Sequence, residues 1–153
     1  MGVNRQDKVE LTNMCIIYDD HNNVVVEKKI TSKGIGLIFP GGHVEKRESL
    51  VDSVCREIFE ETGLTISNPQ LCGVKDWVET DGSRYMVFLY KTNQFKGEIK
   101  SSDEGEICWM PLEELKEKEL LWHLEMMLHI FESEGCSELY FDRKGSSYHS
   151  ELK

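Results

Sequence analysis

The segment from Gly42 to Leu64 constrains the fold of this chain more than any other stretch of the sequence. Ser49 is a favourable helix N-cap, and Gly63 can adopt the left-handed conformation that ends a helix, so one helix is predicted over residues 50–62. Its apolar side chains fall on one side: Leu50, Val51, Val54, Cys55, Ile58 and Phe59. Such a stripe is typical of a helix that packs against a sheet or another helix.

Three acidic residues of this helix, Glu57, Glu60 and Glu61, gather along the edge beside the apolar stripe. Like charges within one helical turn destabilise a bare helix, so a bound cation is expected beside them. Mg²⁺ is the natural candidate, because it is a hard cation that takes carboxylate and phosphate oxygens as ligands. The alternative for this segment taken alone is a solvated acidic face, and it stays open at this point.

Residues next to these acids predict how the site is organised. The pair Gly41 and Gly42 lets the backbone approach a ligand closely and expose an amide or a carbonyl to it. Arg56 lies one residue before Glu57 and four before Glu60. At that spacing a guanidinium can orient a carboxylate by a charge-assisted hydrogen bond, and we expect this role rather than direct phosphate binding.

The composition narrows the choice of ligand and compartment. A net charge of −10 over 153 residues disfavours a nucleic acid polymer, because binding to it depends on basic residues. A small phosphate ester is compatible with this charge, since a divalent cation can bridge it to an acidic protein.

The polar start and the lack of a long apolar run predict no signal peptide and no membrane contact. Five cysteines without a C-x-x-C pair argue against disulfides and zinc, so a cytoplasmic protein is expected, as a monomer or a dimer.

The rest of the pattern predicts strands on both sides of this helix. A hairpin is expected from residues 11–19 and 24–30, and a second helix from residues 119–132. A short strand is expected within residues 36–42, where Pro40 stops it. Further strands are expected at residues 70–80, 84–92, 106–111 and in the tail, where 137–142 and 146–153 could pair. This order predicts an α+β fold, an α/β/α sandwich in which a mixed sheet carries helices on its faces, built as one domain over residues 1–153.

The segment also fits a known register, G-x5-E-x7-R-E-U-x-E-E-x-G-U, in which U is a bulky aliphatic residue. The matching residues are Gly42, Glu48, Arg56, Glu57, Ile58, Glu60, Glu61, Gly63 and Leu64. Residues 42–64 therefore resemble the Nudix box, the signature of hydrolases that cleave a nucleoside diphosphate linked to another group. The resemblance implies the Nudix fold, Mg²⁺ as a cofactor that Mn²⁺ can replace, and metal ligands at the Gly41 carbonyl, Glu57, Glu60 and Glu61.

A second region, residues 101–115, resembles the later part of this family, where an acid precedes a strand that carries a tryptophan. The resemblance makes Glu104 a candidate metal ligand or general base. Glu104 and Glu61 are both candidates to take the proton of the attacking water, as in metal-assisted phosphoryl transfer. An exposed loop glutamate beside Asp103 and Glu106 is the alternative reading of Glu104.

The substrate is indicated by residues 39–45, FPGGHVE, which resemble the MutT branch of the family. These enzymes remove oxidised purine nucleotides such as 8-oxo-dGTP from the nucleotide pool and protect DNA in this way, releasing a monophosphate and pyrophosphate. Candidate substrate contacts are His43, Glu119 and Trp122, and the alternative for His43 is a solvent-facing side chain. Where MutT-type proteins read the purine with a polar side chain, this chain has Leu37 and Ile38, so the base-recognising residue stays unassigned.

Aromatic residues are further candidates to stack a base, although core packing is the alternative for each. They are Trp77, Phe88 and Trp109. Two other functions stay open: a Nudix hydrolase of ADP-ribose, NADH or dinucleoside polyphosphates, and a Nudix-like module that binds a nucleotide without cleaving it.

Overall fold

A computed structural model describes residues 2–144 and 147–153 of the chain. The strands and helices in chain order are β1 (Val9–Ile17), β2 (Asn23–Thr31), β3 (Gly34–Ile38), α1 (Leu50–Thr62), β4 (Thr65–Ser67), β5 (Gln70–Val78), β6 (Arg84–Thr92), β7 (Gln94–Lys96), β8 (Glu106–Pro111), α2 (Leu112–Leu115), α3 (Leu124–Phe131), β9 (Glu138–Lys144) and β10 (Ser147–Leu152). The strands form sheets of order β1-β6-β5-β9-β10, β3-β2-β8 and β4-β7. Parallel pairs β1–β6 and β5–β9 stand among antiparallel ones, which confirms the expected mixed sheet.

The two longer helices lie in separate apolar cores, because β1 and β2 are apolar on both faces. Met14, Val24 and Val26 point into one core, which also contains Leu124 and Met127 of α3. The alternate residues of the same strands, Cys15, Ile17 and Val25, point into the other core together with Val54 and Ile58 of α1. This layering of helix, sheet and helix is the α/β/α arrangement expected from the sequence.

The expected hairpin of residues 11–19 and 24–30 is wrong. β1 pairs with β6, whereas β2 pairs with β3 and β8, and between the two segments β-pairing is limited to the bridge between Tyr18 and Val24. A strand that is apolar on both faces belongs inside a sheet and needs a neighbour on each edge. β1 finds its second neighbour in the loop after β3, where the Asn13 amide donates to the Gly42 carbonyl at 2.8 Å.

The second helix is shorter than predicted, because α3 begins at Leu124 and ends at Phe131. Residues 119–121 run beside β3 instead: the Leu37 amide donates to the Glu119 carbonyl at 2.9 Å, and the Leu121 amide donates to the Leu37 carbonyl at 2.9 Å. Leu120 packs on the same core as α3 from this extended segment. Leu120 fitted the helical spacing of the predicted helix because it is packed on the core, although it lies outside the helix.

The predicted strand pair of the tail is confirmed as β9 and β10, which pair antiparallel. No helix within residues 2–144 and 147–153 is long and apolar enough to cross a bilayer.

Candidate functional site

Helix α1 has the bounds that its capping signals predict. The Ser49 side chain accepts a hydrogen bond from the Asp52 amide at 3.0 Å, and Gly63 ends the helix at φ 80°. Val54 and Ile58 are fully buried, whereas Val51 and Phe59 of the predicted stripe remain exposed. The buried stripe fixes the rotation of the helix, and this rotation turns Glu57 and Glu61 toward a cavity of about 1020 Å³.

The loop before α1 needs glycine at positions 41 and 42, because neighbouring atoms lie too close for a side chain. A Cβ at Gly41 would lie 2.0 Å from the Asn13 carbonyl oxygen of β1, and a Cβ at Gly42 would lie 2.3 Å from the Glu57 carboxylate. The Gly42 amide donates to the Asn13 side chain at 3.1 Å, and the Gly41 amide donates to Glu61 at 3.0 Å. Asn13 is buried and in turn donates to Ser53 of α1 at 2.8 Å. The loop is thereby fixed between β1 and α1.

Arg56 forms a network of hydrogen bonds beside this loop. It binds Glu48 through two parallel bonds, from Nε at 2.7 Å and from Nη2 at 2.9 Å. Its Nη1 donates to Glu57 at 3.0 Å and to Glu60 at 3.1 Å, and its Nη2 donates to the His43 carbonyl at 2.9 Å. These bonds raise the pKa of Arg56, with Glu48 as the largest cause. The guanidinium orients carboxylates, as its spacing suggested, and Glu48 is a partner that the spacing did not reveal.

The pairing with Arg56 lowers the pKa of Glu48 from 4.5 to about 2. An acid whose pKa is lower in the folded state stabilises the fold above its unfolded pKa and loses this contribution as the pH falls through the folded pKa. We therefore expect Glu48→Gln to lower the melting temperature at pH 7, and the difference from the wild type to shrink below pH 4.5. Thermal unfolding between pH 7 and pH 2.5 measures this difference. Glu45→Gln is the control, because Glu45 lies 3.8 Å from Arg56 and should matter less; a difference that stays constant with pH would contradict the assignment.

Glu61 is the most perturbed acid of the site. Burial raises its pKa to about 9, and its interactions with Glu104 and the charge of Glu27 act in the same direction, whereas the bond from the Gly41 amide opposes them. Its exposed fraction is 5%. These surroundings favour the protonated form of the carboxyl group, whereas a nearby cation would favour the charged form.

Glu27 of β2 adds a carboxylate that sequence reasoning missed. It is 1% exposed, and its Oε1 has no hydrogen-bond partner, although the Lys29 ammonium lies 3.4 Å away. Burial raises the pKa of this group as well. One signal in the sequence was available: Glu27 lies two residues after Val25, on the strand face that points toward α1.

These carboxylates fit a divalent cation. A buried carboxylate oxygen without a partner is costly, and a cation would satisfy it while lowering the raised pKa values. Within residues 2–144 and 147–153, no three acidic, histidine or cysteine side chains already enclose a metal position. Glu57 accepts a hydrogen bond from Arg56, and Glu61 accepts one from the Gly41 amide. A cation would therefore bind carboxylates that are already hydrogen-bonded.

The lining on β6, β5, β9 and β10, which follow β1 in the order of the sheet, is aromatic and basic and forms the aromatic end of the cavity. It consists of Lys75, Trp77, Tyr85, Phe141 and Tyr148, together with Trp122 and His123 from the turn before α3. Lys29 of β2 lies between this end and the acids, because its ammonium group pairs with Glu27 at 3.4 Å. The rings of Trp77 and Tyr85 stack at 4.5 Å and 10°. Trp122 is 55% exposed, and the Lys29 ammonium lies 5.6 Å from its ring centre. Trp122 and His123 both have a positive φ, 53° and 63°, a conformation that is uncommon outside glycine and tends to occur at functional positions.

The structure brings most of the predicted site residues to this one cavity. Its lining includes Gly41, His43, Glu57, Glu61, Glu104 and Trp122, as well as Trp77. His43 is turned to Glu10, at 2.8 Å. Glu60 and Glu119 are exposed and do not line the cavity. Trp109 and Phe88 pack on the core of α1, as the core alternative for them stated.

The sequence matches the NUDIX domain family over residues 10–130. This match covers more than half of the chain, so the chain belongs to the Nudix family, and the expected family and fold are confirmed.

Three similar proteins place the chain within this family. The uncharacterized Nudix hydrolase YvcI of Bacillus subtilis is 33% identical over 107 residues, which cover 67% of this chain and 66% of that protein. The phosphatase NudJ of Escherichia coli (strain K12) is 30% identical over 83 residues, 54% of either chain. The crystal structure of a MutT protein from Bacillus halodurans shares 28% identity and a TM-score of 0.73, and covers 93% of this chain and 97% of that one. The chain thus spans between about half and two thirds of the curated relatives that it matches.

Proposed function

We propose that the chain is a Mg²⁺-dependent nucleoside triphosphate pyrophosphohydrolase that hydrolyses oxidised purine nucleotides such as 8-oxo-dGTP to the monophosphate and pyrophosphate. The observation that carries this proposal is the cavity with two unlike ends: buried carboxylates at one end and aromatic side chains at the other. A nucleotide has the complementary division, since its phosphates need cations and its base needs flat apolar surfaces. We further propose that residues 1–153 work as one domain, in the cytoplasm, where thiols such as the five free cysteines stay reduced.

The carboxylates of the acidic end divide into two roles in this proposal. Glu57 and Glu61, with the Gly41 carbonyl, would hold Mg²⁺, which when bound would neutralise phosphate charge and stabilise the leaving oxygen. Glu104 is exposed in the turn two residues before β8, where it can reach solvent water, and takes the proton of the attacking water. Glu61 is less suited to this step, because it is buried and already accepts the Gly41 amide.

Arg56 acts as a positioning residue. Its two bonds to Glu48 anchor the guanidinium, and the remaining donors hold Glu57, Glu60 and the His43 carbonyl. This network fixes the position of the Glu57 carboxylate beside the cavity, where it can bind a cation. Glu60 lies outside the cavity lining, so we assign it to the Arg56 network ahead of direct metal binding.

The substrate is tested by a panel of nucleotides. Purified protein with Mg²⁺ is given dGTP, 8-oxo-dGTP, ADP-ribose, NADH and a diadenosine polyphosphate, and kcat/KM is compared. We expect 8-oxo-dGTP to rank first. A preference for ADP-ribose, NADH or the dinucleotide would replace the substrate assignment but keep the hydrolase, whereas binding without turnover of any compound would support a sensor module.

The position of water attack provides a second test. If the acidic end grips the phosphates as in MutT-type proteins, water attacks the β-phosphorus and the products are the monophosphate and pyrophosphate. In ¹⁸O water the label is expected in pyrophosphate, as read by mass spectrometry. Label in the monophosphate would move the attack to the α-phosphorus. Orthophosphate as the primary product would overturn the pyrophosphohydrolase assignment.

A further inference from the structure

Lys75 stands out in the aromatic end of the cavity, because it is a buried cation that is not paired with an acid. It lies on β5 with 6% of its surface exposed, and it lines the cavity. Within the described part of the chain, no carboxylate lies within ion-pair distance of its ammonium group. Burial removes hydration from the ammonium group and lowers its pKa to about 8, although the negative charge of Glu125 acts in the opposite direction from beyond ion-pair distance.

The ammonium group of Lys75 retains capacity for a ligand. It donates one hydrogen bond, to the Trp122 carbonyl at 2.6 Å, whereas a lysine has three donors. Its remaining contacts are with ring faces, since Nζ lies 5.4 Å from the ring centres of both Trp77 and Phe141. Ring faces attract a cation but do not replace hydrogen-bond acceptors. The cavity side of the ammonium group is thus suited to an acceptor oxygen.

The flat surroundings indicate which molecule carries that oxygen. Trp77 and Tyr85 present a stacked pair of rings, and the exposed ring of Trp122 stands close by in the same cavity. A planar base fits such walls better than a phosphate does, and the acidic end already provides for phosphates. Lysine is a known partner of the O6 edge of guanine, whereas adenine presents an amino group, itself a donor, at the same place.

We propose that Lys75 selects 6-oxopurine nucleotides by donating a hydrogen bond to O6 of the base. This inference rests on the proposed function and deepens it, because guanine, hypoxanthine and 8-oxoguanine all carry O6 and adenine does not. It also supplies the polar base contact that Leu37 and Ile38 do not provide. Lys75 lies on β5, outside both segments that carry the resemblance to the family.

The test compares dITP with dATP, two nucleotides whose bases differ at the 6-position. For the wild type, kcat/KM is expected to be about 10- to 100-fold higher for dITP, the range of one hydrogen bond to a charged group. Lys75→Met keeps the apolar stem and removes the ammonium group, so the ratio should fall to within about threefold of unity through loss of dITP turnover. The matched control is Lys91→Met on β6, outside the cavity lining, which should keep the wild-type ratio.

Two kinetic results would overturn the proposal. One is a wild-type ratio near unity, which needs no variant and so does not depend on the folding of Lys75→Met. The other is an equal loss of dITP and dATP turnover in Lys75→Met, which would show that Lys75 only supports the Trp122 backbone. Titration calorimetry with dIMP and dAMP separates this inference from the proposed function. If the protein hydrolyses neither triphosphate, the assignment as a purine nucleoside triphosphate pyrophosphohydrolase fails, while tighter binding of dIMP that is lost in Lys75→Met still supports O6 recognition. Equal or absent binding of the two monophosphates in that case overturns it.

Discussion

Glu57→Gln and Glu61→Gln are each expected to lower kcat at least about a hundredfold at saturating Mg²⁺, because each removes a charge from the acidic end of the cavity. The fold should persist. Glu57 accepts a hydrogen bond from Arg56 and Glu61 accepts one from the Gly41 amide, and the amide oxygen of glutamine can accept both. Steady-state kinetics with the preferred triphosphate, together with circular dichroism of each variant, measure the effect.

A matched control is available on the strand that follows Glu104. Glu106 is an exposed glutamate that pairs with Lys28 at 3.4 Å, outside the cavity lining. Glu106→Gln should therefore retain wild-type kcat. Unchanged turnover in either Glu57→Gln or Glu61→Gln would remove that residue from the assigned metal ligands.

Arg56→Lys should be nearly as damaging as Arg56→Ala, with both lowering kcat/KM by about 10- to 100-fold, the usual range for a residue that orients metal ligands. The planar guanidinium serves Glu48, Glu57, Glu60 and the His43 carbonyl from one rigid group. An ammonium group carries the same charge but has no fork geometry with which to span these partners.

The Mg²⁺ dependence of turnover distinguishes two possible contributions of Arg56, namely orientation of Glu57 and positive charge alone. If Arg56 orients the ligand Glu57, then more Mg²⁺ should be needed for half-maximal activity in both variants. Full activity of Arg56→Lys at wild-type Mg²⁺ concentrations would show that only the positive charge matters. A loss of activity that appears only together with unfolding in circular dichroism would assign Arg56 to the fold instead of the site.

The parts of the fold that were predicted correctly are those set by local chemistry. Helix α1 begins after Ser49 and ends at Gly63 because caps act on adjacent backbone groups. The pairing of β1 and the length of α3 depend on distant partners, namely β6 and the edge of β3. A run of apolar residues shows that a segment is buried, but not which neighbour covers it, and the Leu120 side chain illustrates this most directly.

The same distinction applies to the site. The register of the box led to Glu57, Glu61 and Arg56, because their spacing along one helix determines their relative positions. Glu27 and Lys75 were missed, because each reads as an ordinary polar position in a strand, and their burial follows only from how the strands and helices assemble.

The two ends of the cavity are carried by separate parts of the chain. The acidic end comes from β2, the loop that contains Gly41 and Gly42, α1 and Glu104 in the turn before β8, while the aromatic end comes from β5, β6, the turn before α3 and the last hairpin. A substitution that reshapes the aromatic end leaves Glu57, Glu61 and the Arg56 network in place. In such a fold, single substitutions at the aromatic end can change the base preference during evolution, while the residues that act on the phosphates stay the same.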